Sequence, residues 1–388
     1  MARQRKIFLA NIERAGCGAF TLLKERAMGL TCGIIGLPNV GKSTIFNALT
    51  GAGAAMANYP FCTIEPNHGI VAVPDQRLRA IAELLKKTDP IPARIEFVDV
   101  AGLVAGASRG EGLGNKFLGN IRTVDAIVHV VRCFDDENVV HVASGVDPVR
   151  DIEVIHTELV LADIEVLGRG LEKLRKIEKS GDKAVKAKIP FLERVLAHLN
   201  EGRLLRAMTL ESDEAAALGE YGLITGKPEL LVANADDGGI DGPAAEAVRA
   251  YAAASGAEYL AIAGKVEEEI SELPAAEKAE FLGAMGIAES GLDRLIVVAN
   301  RLLGLITYYT AATDLQAWSI PIGTSARSAA GKIHSDFERG FIRAEVIHSD
   351  DLVRAGSEHH ARERGLLRTE GKDYVVRDGD VVRYLFNV

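Results

Sequence analysis

Three short runs of residues have the types and spacing to hold a nucleoside triphosphate. "GLPNVGKS" at 36–43 fits G-x-x-x-x-G-K-[ST]. In that pattern the glycines let backbone N–H groups curl around phosphates, and the helix N-terminus that follows adds a favourable dipole. Gly36, Asn39, Val40, Gly41, Lys42, Ser43 and Thr44 are the candidate contacts of this loop. Lys42 would reach the β- and γ-phosphates and assist the chemistry, while the Ser43 hydroxyl would ligate Mg²⁺. "VDVAG" at 98–102 fits D-x-x-G, in which Asp99 holds Mg²⁺ through water and the Gly102 amide meets the γ-phosphate. Thr63, in "NYPFCTIEP" between the two runs, is the threonine placed to complete the Mg²⁺ shell; a loop threonine capping a turn is the plainer alternative.

The third run, "ANADDG" at 233–238, has the Asn-x-x-Asp spacing with which many P-loop GTPases read guanine. Asn234, Ala235 and Asp237 are its candidate base contacts, and Ala235 stands where such proteins carry a lysine. The residue after the D-x-x-G is also unusual. Regulatory GTPases often place a glutamine there to orient the attacking water, and this chain has Leu103, which has no hydrogen-bonding group. Hydrolysis is therefore expected to be slow, or another side chain must position the water. The glycine-rich stretch 106–118 suits a switch that orders on the γ-phosphate or a mobile surface loop equally well.

These runs need elements to hold them. An apolar run at 30–35 predicts a buried strand, and "STIFNALTG" predicts the helix behind the phosphate loop. Further strands are predicted at 94–98, 126–132, 229–233 and 258–262 with helical periods between them, the pattern of a doubly wound, mostly parallel α/β sheet. The series is interrupted between 126–132 and 229–233. There "TELVLADIEVLGRGLEKLRKIEK" and "PFLERVLAHLN" predict two amphipathic helices folded back on each other, an inserted arm suited to touching a partner. From about 305 the pattern alternates in strand fashion, with glycine turns, and predicts a small separate β-rich domain. The expected organisation is an extension at 1–27, a nucleotide-binding domain at 28–148 and 224–304, a helical hairpin at 149–223 and a C-terminal domain at 305–388.

Composition sets the class. Hydrophobic content of 48% with 26% charged residues describes a globular protein, and a net charge of -9 argues against a generally basic nucleic-acid coat while leaving a local basic patch open. Four scattered cysteines without zinc spacing point to free thiols in a reducing cytoplasm. No run of apolar residues is long enough to span a membrane. The basic stretch 1–27 ends at Met28 and lacks the apolar core of a secretory signal, so it reads as an extension ahead of a second start. No acceptor-binding site or arginine-rich lid suggests a small-molecule kinase.

Taken together, "GLPNVGKST", "NYPFCTIEPN", "FVDVAGLVAGASRGEGLGNKFL", "HVVRCF" and "DIEVIHTELVLAD" resemble the YchF/Obg-like ATPase family. The ending "DFERGFIRAEV…GKDYVVRDGDVV" resembles that family's TGS domain, a β-grasp fold. The resemblance runs from Met28 to Val388. It implies an Obg-type P-loop domain with an inserted helical hairpin and a C-terminal TGS domain, acting as a monomer. It also implies Mg²⁺-dependent hydrolysis with ATP preferred over GTP, and binding to ribosomes, chiefly the large subunit, through RNA or protein contacts of the hairpin and TGS domain. Carried over by position, the family's hydrophobic replacement of the catalytic glutamine is Leu103, and the histidine proposed to stand in for it is His141 in "NVVHVAS"; a plain surface histidine is the alternative. Asn39 matches P-loop asparagines that ligate K⁺ in some related proteins. His129, within an apolar strand, reads as core or sheet-edge packing.

The family's usual base motif is Asn-x-x-Glu, and here the acid is Asp237. An aspartate at that place accepts hydrogen bonds from guanine N1–H and the 2-amino group, whereas adenine presents a lone pair at N1. The expected nucleotide is ATP, with dual ATP/GTP use as the competing reading; a protein- or ribosome-binding adaptor with structural nucleotide is the alternative from another class.

Overall fold

The computed structural model describes residues 30–53, 67–100, 113–136, 145–179, 182–284 and 289–387. In chain order its elements begin β1 (Thr31–Ile35), α1 (Lys42–Gly53), β2 (His68–Ala72), α2 (Gln76–Leu85), β3 (Arg94–Asp99), α3 (Leu113–Thr123) and β4 (Ala126–Arg132). They continue with α4 (Pro148–Glu178), α5 (Lys183–Asn200), α6 (Ser212–Gly219), β5 (Glu229–Asn234), α7 (Pro243–Ser255), β6 (Glu258–Ile262), α8 (Gly264–Ser271), α9 (Ala275–Ala284) and α10 (Gly291–Leu302). Six strands form one sheet in the order β2-β3-β1-β4-β5-β6. The pairings of β1 with β3 and β4, of β4 with β5 and of β5 with β6 are all parallel. Every residue of β4 and β5 is buried. That explains their unbroken Val/Ile/Leu character: a parallel strand covered on both faces has no polar side to show. Because these strands run the same way, the loops leaving β1, β3, β5 and β6 gather at one edge, where ligands bind in open α/β sheets.

Between β4 and β5 the chain makes its helical excursion. Leu167 and Leu171 of α4, Leu192, Val195 and Leu199 of α5, and Leu218 of α6 share one apolar core. Asp147 caps α4 by accepting from Arg150 N, and Pro148 stands at the first helical position, where a missing N–H costs nothing. The root of the excursion is tied down by Asp163. Its buried carboxylate accepts from Ile224 N at 2.9 Å, Thr225 N at 2.7 Å and the Thr225 hydroxyl at 2.7 Å.

A second buried polar knot sits where β5 begins. Glu229 is 1% exposed and is hydrogen-bonded by side chains from three segments of the chain. Arg206 Nη2 lies on Oε2, His156 Nε2 lies 3.0 Å from Oε1, and His129 Nδ1 lies 3.2 Å from Oε1. Tyr251 Oη in turn meets His156 Nδ1 at 3.1 Å. Burial alone would raise the Glu229 carboxyl, but Arg206 and His156 outweigh it and hold the group well below the usual carboxylate range. The two histidines and the carboxylate bring three ligand atoms within 4.8 Å of one another, a spacing a metal ion could use. The Arg206 guanidinium already compensates the carboxylate's charge there. His129 is thus core packing, as its strand position predicts, with an ionic partner added.

The chain divides into two compact units: the described parts of Met1–Gly69 with Glu96–Leu292, and of Ile70–Ile95 with Asp293–Val388. The second unit contains β7 (Leu305–Ala311), β8 (Leu315–Pro321), α11 (Ala326–Ile333), α12 (Ser335–Arg339), β9 (Phe341–His348), α13 (Ser349–Ala355), α14 (Glu358–Glu363), β10 (Arg368–Glu370) and β11 (Asp380–Phe386). Its sheet has the order β10-β9-β11-β7-β8, antiparallel except where β11 meets β7. The residues 70–95 join it through Ile91 N to Leu315 O at 2.9 Å and an Arg77–Asp378 ion pair at 2.7 Å. No local pattern in 70–95 announces that pairing.

Candidate functional site

The phosphate loop leaves β1 at Gly36 and enters α1 at Lys42. Three of its residues take positive φ: Gly36 at 152°, Asn39 at 60° and Gly41 at 92°. Asparagine tolerates the left-handed region better than most residues, which suits Asn39 to the turn. Gly41 has a second constraint. A Cβ there would lie 2.2 Å from Asn234 Nδ2, so a side chain would drive the loop off its partner. Val40 is buried and presents its carbonyl to the same amide. Thr44 is half-buried in the first turn of α1.

Lys42 is 8% exposed and donates from Nζ to Leu37 O at 2.7 Å, across the mouth of the loop. Burial pulls its ammonium down to about 8, with Asp99 pulling the other way. Asp99, at the end of β3, is raised above its ordinary range by burial, which Lys42 and a hydrogen bond with the Ser43 side chain oppose. Its Oδ1 is buried and has no hydrogen-bond partner among the described residues. A buried carboxylate oxygen without a donor, next to a serine hydroxyl at a helix start, is a donor set that fits Mg²⁺, a hard cation that takes oxygen ligands. Ser43 and Asp99 would hold the ion, which would neutralise charge on the phosphates. The three residues that sequence spacing groups around phosphate and metal are therefore brought together.

The base loop is joined to the phosphate loop by one side chain. Asn234 Nδ2 donates to Val40 O at 2.9 Å, while Asn234 Oδ1 accepts from Gly264 N at 3.0 Å. One amide thus spans from the phosphate loop to the start of α8, using both its donor and its acceptor. Ala235 is buried and its N–H donates to Ile262 O at 2.9 Å. Asp237 opens a short 3-10 turn, Asp237–Gly239, and is exposed. Thr63, Gly102, Leu103 and His141 lie outside the described residues, as does the stretch 1–27.

Comparison with known proteins decides the family. Residues 31–164 match a family model described as "50S ribosome-binding GTPase", and 305–387 match YchF-GTPase_C, described as "Protein of unknown function (DUF933)". The chain is 50% identical over 363 residues to "Ribosome-binding ATPase YchF" of Escherichia coli O157:H7, spanning 93% of this chain and 100% of that protein. Identity to the Bacillus subtilis (strain 168) protein of the same name is 48% over 366 residues, with the same coverage. The chain belongs to the YchF family. The solved structure of the Schizosaccharomyces pombe YchF GTPase matches with a TM-score of 0.85 at 35% identity, over 93% of this chain and 99% of that one. The expected P-loop α/β fold is met, a YchF C-terminal domain occupies 305–387, and the phosphate loop is that of a nucleoside triphosphate hydrolase. The names of these YchF relatives differ on the nucleotide, ATPase for two and GTPase for the third, and the base loop is where this chain's own answer lies.

Proposed function

We propose that this YchF protein hydrolyses ATP slowly with Mg²⁺, and that its nucleotide state governs binding to the ribosome, chiefly the large subunit, in the cytoplasm. The observation that carries the reading is the clamp of Asn234 between Val40 and Gly264, which couples the phosphate loop to the base loop. The near full-length identity to proteins named ribosome-binding ATPases supports the partner. Lys42 and the loop amides hold the phosphates, Ser43, Thr63 and Asp99 hold the metal, and Gly102 meets the γ-phosphate. Exposed Asp237 favours a second substrate, GTP, because its carboxylate complements the guanine edge. Asn39 is the residue that would accept K⁺. The protein acts as a monomer whose helical excursion and C-terminal domain, of TGS type, contact RNA or protein.

With Leu103 unable to hold water, His141 takes that part. His141→Ala is expected to lower the turnover number by about 100-fold with ATP affinity unchanged, the scale of losing a general base. Unchanged turnover would return His141 to the surface. The ribosomal part is tested by sedimentation through a sucrose cushion with large subunits, in ADP, in a non-hydrolysable ATP analogue and without nucleotide. Pelleting should differ several-fold between states and lose that dependence in Lys42→Ala. Equal pelleting in every state would favour an adaptor with structural nucleotide.

A further inference from the structure

The second unit holds a cavity of about 420 Å³ whose lining includes His348, Asp351, Leu366, Arg368, Arg377 and Asp380. Asp380 is the most buried of them, at 0% exposure, and opens β11 opposite His348 at the end of β9. Its Oδ2 is occupied: Tyr374 Oη donates to it at 2.7 Å and Arg377 N at 2.9 Å. Its Oδ1 is buried and has no hydrogen-bond partner among the described residues. Arg368 Nη2 stands off from that oxygen at 3.9 Å, beyond hydrogen-bond reach. A buried carboxylate oxygen left without a donor is costly, so a ligand that brings one is favoured there. The His348 ring is fixed by its own turn, with Nδ1 accepting from Asp350 N at 3.2 Å and Nε2 donating to Asp378 O at 3.1 Å. The guanidinium of Arg377 is exposed and makes no hydrogen bond or ion pair among the described residues.

We propose that this cavity binds a free aliphatic α-amino acid, its ammonium on Asp380 Oδ1 and its carboxylate on the guanidiniums of Arg377 and Arg368. The mixed signs of the lining decide the class. A bare anion, whether inorganic phosphate or an RNA phosphate, would satisfy the arginines but would meet Asp380 and Asp351 with like charge. A bare cation would meet Arg368 and Arg377 in the same way. A zwitterion answers both, and each contact is a hydrogen bond between charged groups. Size points the same way, since the volume lies at the small end of ligand pockets. Leu366 is the apolar member of the lining and gives an aliphatic side chain a surface to cover.

The test is calorimetric titration of the full chain with L-leucine, with 4-methylpentanoate, which lacks the ammonium, and with 3-methylbutylamine, which lacks the carboxylate. Leucine should bind one to one, and each half-ligand should bind about tenfold or more weakly, the scale of one lost charged hydrogen bond. Arg377→Ala should weaken leucine by about tenfold without weakening the amine, which separates loss of the carboxylate contact from any change of fold. Asp380→Asn should weaken leucine at least as much. Because Asp380 also holds Tyr374 and the Arg377 amide, Arg377→Ala decides the matter if the Asp380 variant unfolds. No leucine binding at ~10 mM would overturn the proposal. So would 4-methylpentanoate binding as tightly as leucine, which would mark a plain anion site, or leucine affinity unchanged in Arg377→Ala.

Discussion

Lys42→Ala is expected to weaken Mg-ATP binding by about 100-fold in an equilibrium titration, because hydrogen bonds from a charged donor contribute ~1.5–3 kcal/mol each. In the free protein the ammonium is already buried at the mouth of the loop, held by Leu37 O and facing Asp99. Its desolvation is thus met in folding, and bound phosphate finds a preorganised cation. The variant should keep its fold, since it gives up one bond to a carbonyl that the loop can turn to water. GTP titrated beside ATP should bind wild type within about tenfold if Asp237 reads guanine as proposed, a ratio well inside what one edge contact can set. GTP weaker than ATP by a thousandfold would remove Asp237 from the base edge.

Glu229→Ala should cost about 3–5 kcal/mol of stability, read as a lower urea midpoint, since removing one partner leaves the other charge buried. Arg206 is 7% exposed at its side chain, and its Nε and Nη1 have no hydrogen-bond partner among the described residues. The double variant Glu229→Met with Arg206→Met should recover much of that loss, because a packed apolar pair leaves no charge uncompensated. The pH dependence follows from the same knot. Glu229 is held below its unfolded value, and burial lowers His129 below its own, against the pull of Glu229. A group whose folded pKa is depressed contributes stability above its unfolded pKa and loses it as pH falls. The wild type should therefore lose stability first below ~6.5, where the unfolded chain's imidazole takes a proton that buried His129 resists, and again below ~4, where the carboxyl protonates in the unfolded chain while Glu229 stays ionised in the folded one. A Glu229→Ala midpoint equal to wild type at neutral pH would show the knot to be solvated and of no account.

The phosphate loop was legible because its work is local: a few consecutive residues set the cradle, and the flanking strand and helix follow from short apolar patterns. The five predicted strands of the main sheet appear within a residue of their expected bounds, since buried parallel strands are continuous apolar runs. β2 went unseen, and its alternating exposure over five residues is a weak signal. The Asn234 clamp was half legible. Asn-x-x-Asp marks the residue, but its two partners lie 194 and 30 positions away. The knot around Glu229 has no local signal, because His129 and Glu229 are 100 residues apart and each sits in an ordinary-looking segment. The same holds for residues 70–95, whose side-chain bonds from Arg77 and Lys87 reach partners more than 200 residues downstream.

The most direct test is steady-state release of inorganic phosphate from Mg-ATP by wild type and Lys42→Ala, purified side by side. The account predicts slow turnover by wild type that falls to the no-enzyme background in the variant. Equal phosphate release by the two proteins would contradict it, because hydrolysis would then not pass through the loop at 36–43.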